Sequence, residues 1–179
     1  MTGVRITLNP EECVIVAQIG MMKTNNSISG GLQTSWARAE GFNMYLTDIN
    51  GYGAELAFCK MFNLCPDLTS HNRVGGFDAK LPDGTTVDVK QSRSLTTDLR
   101  VKCGRKKLGD SSLYALLVGG FPTYTFVGFT EESVVFESPI TQVWEKDHYT
   151  VARDKLMPVQ NLKEFGVINI FGDLVDPNE

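Results

Sequence analysis

The 179 residues are 42% apolar and 21% charged, enough to fill one sizeable core and too apolar for intrinsic disorder. No apolar run approaches the roughly 20 residues of a membrane span, and the N-terminus lacks the basic, apolar, small-residue order of a secretion signal, so a soluble cytoplasmic protein without a membrane partner is expected. The formal charge of −4 argues against a nucleic-acid binder, yet residues 79–107 hold eight bases against three acids, a local +5 that leaves −9 on the rest.

The spacing predicts a helix over 9–23, with Asn9 as N-cap, Pro10 in the first helical position and Glu11 and Glu12 in the first turn. TNNSISGG (24–31) reads as a loop, and a short helix is expected from Thr34 to Tyr45 with Trp36 and Phe42 packing. Asp48 reads as the cap of a helix over 49–63, whose Ile49, Tyr52, Leu56 and Cys59 fall at helical spacing. Gly51 and Gly53 weaken its first turn and suggest close approach by another backbone.

From Val74 the period becomes twofold. Phe77, Ala79 and Leu81 alternate with Asp78 and Lys80, and after Pro82-Asp83-Gly84 the residues Val87 and Val89 alternate with Asp88 and Lys90. Residues 92–112 are polar and basic, with a short strand at 99–102. LYALLVGG (113–120) suits a strand buried on both faces, and YTFVGFT (124–130) a strand joined to it by a Gly-Phe-Pro turn. Pieces of structure are expected near 133–137, 148–152 and 158–166. Four cysteines without C-x-x-C spacing, and only His71 and His148 beside them, argue against structural zinc and for buried or inert thiols.

The chemistry concentrates in GGFDAKLPDGTTVDVKQSR (75–93). Leu-Pro-Asp-Gly-Thr suits a three-residue hairpin loop, a type I turn followed by Gly in the left-handed region. Leu81 then faces Thr85, so paired numbers sum to 166 and Asp78 falls opposite Asp88, with Cβ atoms about 4.5–5.5 Å apart. Facing carboxylates repel, and a hard divalent cation removes the penalty; by the same repulsion, Asp88→Asn is expected to leave stability unchanged or raised. Lys90, on the same face, offers a donor to a water or phosphate oxygen beside such an ion. Glu55, among apolar residues of the preceding helix, is a further carboxylate in need of a partner.

Asp78, Asp88-Val89-Lys90 and Glu55 together resemble the PD-(D/E)xK nuclease superfamily, with Phe77 standing where the motif's Pro would be. The resemblance covers about residues 48–130. It implies a restriction-endonuclease-like αβββαβ core, a central mixed sheet flanked by helices, within an α/β (α+β) chain. The family's helix between the later strands has no clear counterpart in 92–112, a departure from the pattern. The resemblance divides a single domain over 1–179 into an N-terminal helical extension (1–46), a catalytic core (47–130) and a C-terminal extension (131–179).

The resemblance further implies Mg²⁺, replaceable by Mn²⁺, bound by Asp78, Asp88 and the main-chain carbonyl of Val89, with Glu55 binding through water or holding a second ion. Lys90 would orient or help deprotonate the attacking water, and Gln91 would lie near the scissile phosphate. Arg93, Arg105, Lys106 and Lys107 would contact DNA phosphates, giving affinity without sequence readout. The implied activity is a DNA endonuclease of the sort a phage or mobile element carries, working as a homodimer where both strands are cut. The competing readings are a non-catalytic nucleic-acid or protein-binding module that keeps a nuclease-like fold, and a nuclease acting on RNA.

Overall fold

The computed structural model describes residues 4–30, 43–70, 76–143 and 145–161. The first described element is a strand not among those expected from the sequence, β1 (Val4–Thr7), in which Val4 and Ile6 alternate with Arg5 and Thr7. Asn9 then starts α1 (Pro10–Ser29) through a reciprocal capping box, accepting from the Glu12 N–H at 2.8 Å while Glu12 Oε2 accepts from the Asn9 N–H at 2.7 Å. The helix runs six residues past its expected end because the polar residues there find partners outside it. Thr24 donates to Asp48 Oδ2 at 2.5 Å, Tyr45 to Asn25 Oδ1 at 2.9 Å, and Asn26 to the Ser70 carbonyl at 3.0 Å.

Helix α2 (Met44–Met61) begins five residues before the expected start. Its cap is Asn43, which accepts from the Leu46 N–H at 3.1 Å, and Asp48 is committed to Thr24 instead. The expected helix from Thr34 lies outside the described residues up to 42, as do Trp36, His71, Trp144 and the stretch beyond Asn161.

The remaining elements are β2 (Ala79–Lys80), β3 (Thr86–Ser92), β4 (Leu99–Lys102), β5 (Leu113–Gly120), β6 (Thr123–Glu131), α3 (Glu132–Glu137), β7 (Ile140–Val143) and β8 (Lys146–Val151). Five strands form a mixed sheet in the order β1-β6-β5-β3-β2, with β3 and β5 parallel and the other pairs antiparallel. Three more form an antiparallel sheet, β4-β8-β7. The class is α+β. No helix occupies 93–112; the crossover from β3 to β5 carries β4, which joins the second sheet.

Strand β5 explains the layering. Leu113, Ala115 and Leu117 face a core shared with Val16 and Ile19 of α1 and Tyr52, Leu56 and Phe58 of α2. Tyr114, Leu116 and Val118 face a second core closed by Leu99, Val101, Val135 and Val151. Helices therefore cover one face of the central sheet, while the second sheet and α3 cover the other. Neither glycine meets the backbone expected of it: at Gly53 the close neighbour is a side chain, since a Cβ there would lie 2.2 Å from Tyr124 Oη. Gly51 has nothing within 4 Å, and the tight crossing of α1 on α2 is at Gly20, where a Cβ would meet Ile49 Cα at 2.8 Å.

Cys59 is buried, Cys13 and Cys103 are partly buried, and Cys65 is exposed; all are free thiols. Among the described residues no helix is long and apolar enough to cross a membrane.

Candidate active site

The hairpin turn forms as its sequence requires. Gly84 has φ +96°, its N–H donates to the Leu81 carbonyl at 2.9 Å, and the Leu81 N–H reaches the Thr85 carbonyl at 2.8 Å. Asp83 locks the loop by accepting the Thr85 N–H and hydroxyl, both at 2.8 Å. Ala79 pairs with Val87 and Lys80 with Thr86, the register that sums to 166.

The paired ladder stops one residue short of the expected facing aspartates. The Asp78 N–H donates to the Val87 carbonyl at 2.8 Å, and Asp78 Oδ2 accepts the Val89 N–H at 2.7 Å. Asp78 is thus no ladder partner of Asp88. Its carboxylate lies along the edge of β3, in the place a β2 carbonyl would take. The Val89 carbonyl faces the same side of β3 as its N–H.

Asp88 and Lys90 are register partners of Tyr114 and Leu116 in the parallel β3–β5 pair, so they point away from α2. The Asp88 side chain is only 1% exposed and is held by two ammonium groups: Lys90 meets Oδ1 and Lys106 meets Oδ2. The Oδ1 contact is an ion pair without hydrogen-bond geometry. Lys106 also donates to the Gly76 carbonyl. Beneath Lys90 lies the Tyr114 ring, 5.9 Å from Nζ, with its hydroxyl buried and without a hydrogen-bond partner among the described residues.

Glu55 approaches from α2 on the other side of β3, paired with Lys23 of α1 at 3.3 Å. Burial, then the negative charge of Asp78, pushes Glu55 up to about 8, against the pull of Lys23 and with a smaller push from Asp88. Burial, then Asp88, raises Asp78 as well, opposed by the Val89 N–H and by Lys90 and Lys106. The edge carboxylate of Asp78 is therefore the electrostatic link between Glu55 on one face and Asp88 on the other.

The other candidate residues scatter more. Gln91 donates to the Gly119 carbonyl at 2.7 Å, fastening the end of β3 to the end of β5. Arg93, Arg105 and Lys107 are exposed, whereas Lys106, expected on the phosphate-facing surface, turns inward onto Asp88. Lys23 and Tyr114 were not anticipated from sequence. A lysine inside a helix and a tyrosine inside an apolar strand carry no local signal of such contacts.

As they stand, no three carboxylate, imidazole or thiol groups among the described residues gather into a metal cluster. The donor set nonetheless fits Mg²⁺, which takes one or two carboxylates and keeps several waters. Asp78 and Asp88 offer only hard oxygens and are close enough for each to repel the other's charge. Residues 43–121 match a family of unknown function, DUF5843, and that segment holds Glu55, Asp78, Asp88, Lys90 and Lys106. No curated protein matches the chain.

Proposed function

We propose that this chain is a Mg²⁺-dependent nuclease that hydrolyses phosphodiester bonds within DNA. The observation that carries the proposal is that Asp78, reaching along β3 to the Val89 N–H, lies close enough to feel the charges of Asp88 and Lys90, which pair on the face away from α2. Asp78 and Asp88, with the Val89 carbonyl, would hold the ion, and Glu55 would act through water. The bound ion supplies Lewis acidity and a water of lowered pKa. Lys90, paired with Asp88, would donate to a water or to a phosphate oxygen and offset the charge that grows in the transition state. Exposed Arg93, Arg105 and Lys107 hold the phosphate backbone without reading bases.

Cleavage of duplex, single-stranded and branched DNA by the purified chain in Mg²⁺ or Mn²⁺ tests this directly. Lys90→Ala is expected to abolish cleavage and retain DNA and Mn²⁺ binding, whereas wild-type DNA left uncut where a control nuclease cuts would overturn the reading. Cleavage of matched RNA but not DNA would move the substrate class.

One observation favours a second reading. Asp88 is already neutralised on both oxygens, as in a structural ion cluster of a non-catalytic nucleic-acid-binding module. That reading requires tight DNA binding in EDTA and no heat of Mn²⁺ binding.

A further inference from the structure

The two ammonium groups on Asp88 are held in different ways. Lys90 belongs to β3 itself, so the strand fixes it. Lys106 comes from the loop that joins β4 to β5, which turns at Gly104 (φ +77°) and Gly109 (φ +93°). The backbone of that loop is tethered on either side of Lys106. The Cys103 N–H donates to the Asp147 carbonyl at 2.9 Å, the Lys107 N–H to Asp110 Oδ2 at 2.9 Å, and the Gly109 N–H to Glu132 at 2.9 Å. Lys106 Nζ, 16% exposed at the side chain, spans Asp88 Oδ2 and the Gly76 carbonyl. Its neighbours Arg105 and Lys107 point to solvent.

With Lys106 in place, Asp78, Asp88, Lys90 and Lys106 form a quartet of no net charge. An anionic backbone gains little from it. A dication ligated by Asp78 and Asp88 must take an Asp88 oxygen that a lysine now faces, and with both lysines kept the quartet becomes +2. Of the two ammonium groups, the one carried by a loop and not by the strand, that of Lys106, is the one that can leave.

We propose that Lys106 is a displaceable stand-in for the ion. It neutralises Asp88 in the ion-free chain, gives up Oδ2 when the ion binds, and then serves with Arg105 and Lys107 as a phosphate-binding group of the loop. This rests on the nuclease reading of Asp78, Asp88 and Lys90, and it adds an order of binding: ion first, DNA second. By linkage the coupling is reciprocal, so DNA raises ion affinity by the same factor.

The test is calorimetric titration of the full chain with Mn²⁺, without DNA, in wild type, Lys106→Met and Lys106→Gln. The glutamine variant keeps an N–H for the Gly76 carbonyl, so it covers the case in which the methionine variant does not fold. Removal of the competing ammonium is expected to tighten Mn²⁺ binding about tenfold. In fluorescence anisotropy with a labelled duplex, Ca²⁺ is expected to raise wild-type DNA affinity about tenfold and the Lys106→Gln affinity several-fold less. Mn²⁺ binding that is equal or weaker in folded Lys106 variants overturns the proposal and leaves the nuclease reading standing. Absence of Mn²⁺ binding in every chain, wild type included, overturns both.

Discussion

Asp88→Asn is the substitution for which strand patterning and tertiary contacts predict opposite signs. Facing aspartates alone would make it neutral or stabilising. The structure instead buries Asp88, with 1% of its side chain exposed, between Lys90 and Lys106, which are 27% and 16% exposed. Removing one member of a buried ion pair costs about 3–5 kcal/mol. Both lysine heads retain some access to water, so about 2–4 kcal/mol is expected here. Asparagine adds its own conflict, since its oxygen can serve one lysine while its NH₂ points a donor at the other.

For a chain of this size such a loss lowers the melting temperature by roughly 5–15 °C. Urea unfolding followed by far-UV circular dichroism, in EDTA so that no ion contributes, measures it. An Asp88→Asn midpoint equal to or above wild type would refute the two-lysine account and make repulsion from Asp78 the stronger influence on Asp88. Adding Lys106→Met to Asp88→Asn removes one stranded cation, so the double variant should lose less than the sum of the single losses.

Further expectations follow from the same contacts. Glu55, raised to about 8 from an ordinary 4.5, binds its proton in the folded chain at pH values where the unfolded chain has released it. Stability of the ion-free chain should therefore fall as pH rises from ~5 to ~8, by up to about 1 kcal/mol per pH unit, with Asp78 adding slope of the same sign. Urea midpoints across that range test this: Glu55→Gln should flatten the profile, and a slope equal to wild type would show that Glu55 is not the titrating group. Gly53→Ala would set a methyl 2.2 Å from Tyr124 Oη and disrupt the 3.2 Å bond that hydroxyl donates to the Asn50 carbonyl. A loss of about 1–3 kcal/mol is expected despite the better helix propensity of Ala, and a stabilised variant in thermal melts would contradict the packing.

What the sequence made legible was local. The Asn9–Pro10–Glu12 start, the Pro82–Asp83–Gly84 turn and its register, and the double-faced β5 each follow from a few neighbouring residues whose conformational limits leave little choice. What it concealed was tertiary. Thr24, Asn25 and Asn26 read as loop formers until Asp48, Tyr45 and Ser70 supply their partners. Strand alternation placed Asp88 and Lys90 on one face, but not the early end of the ladder at Ala79, which sends the Asp78 carboxylate to the Val89 N–H. Within Arg105-Lys106-Lys107, three adjacent bases differ in role only because the loop turns one of them inward.

The insertion of β4 into the β3–β5 crossover ties the candidate site to residues that contribute no side chain to it. A chain cut after Gly120 would keep Glu55, Asp78, Asp88, Lys90 and Lys106. It would also strip β6 from one edge of β5 and β8 from β4. Leu99, Val101, Tyr114 and Leu116 would lose part of their cover, and the Cys103 tether to Asp147 would be gone. Bare strand margins invite pairing with a neighbouring copy, so such a fragment should clump before it ever meets an ion. Strands β6 and β8 are the buttress of the candidate site, and a chain without them should lose its arrangement of side chains as surely as one that lacks an aspartate.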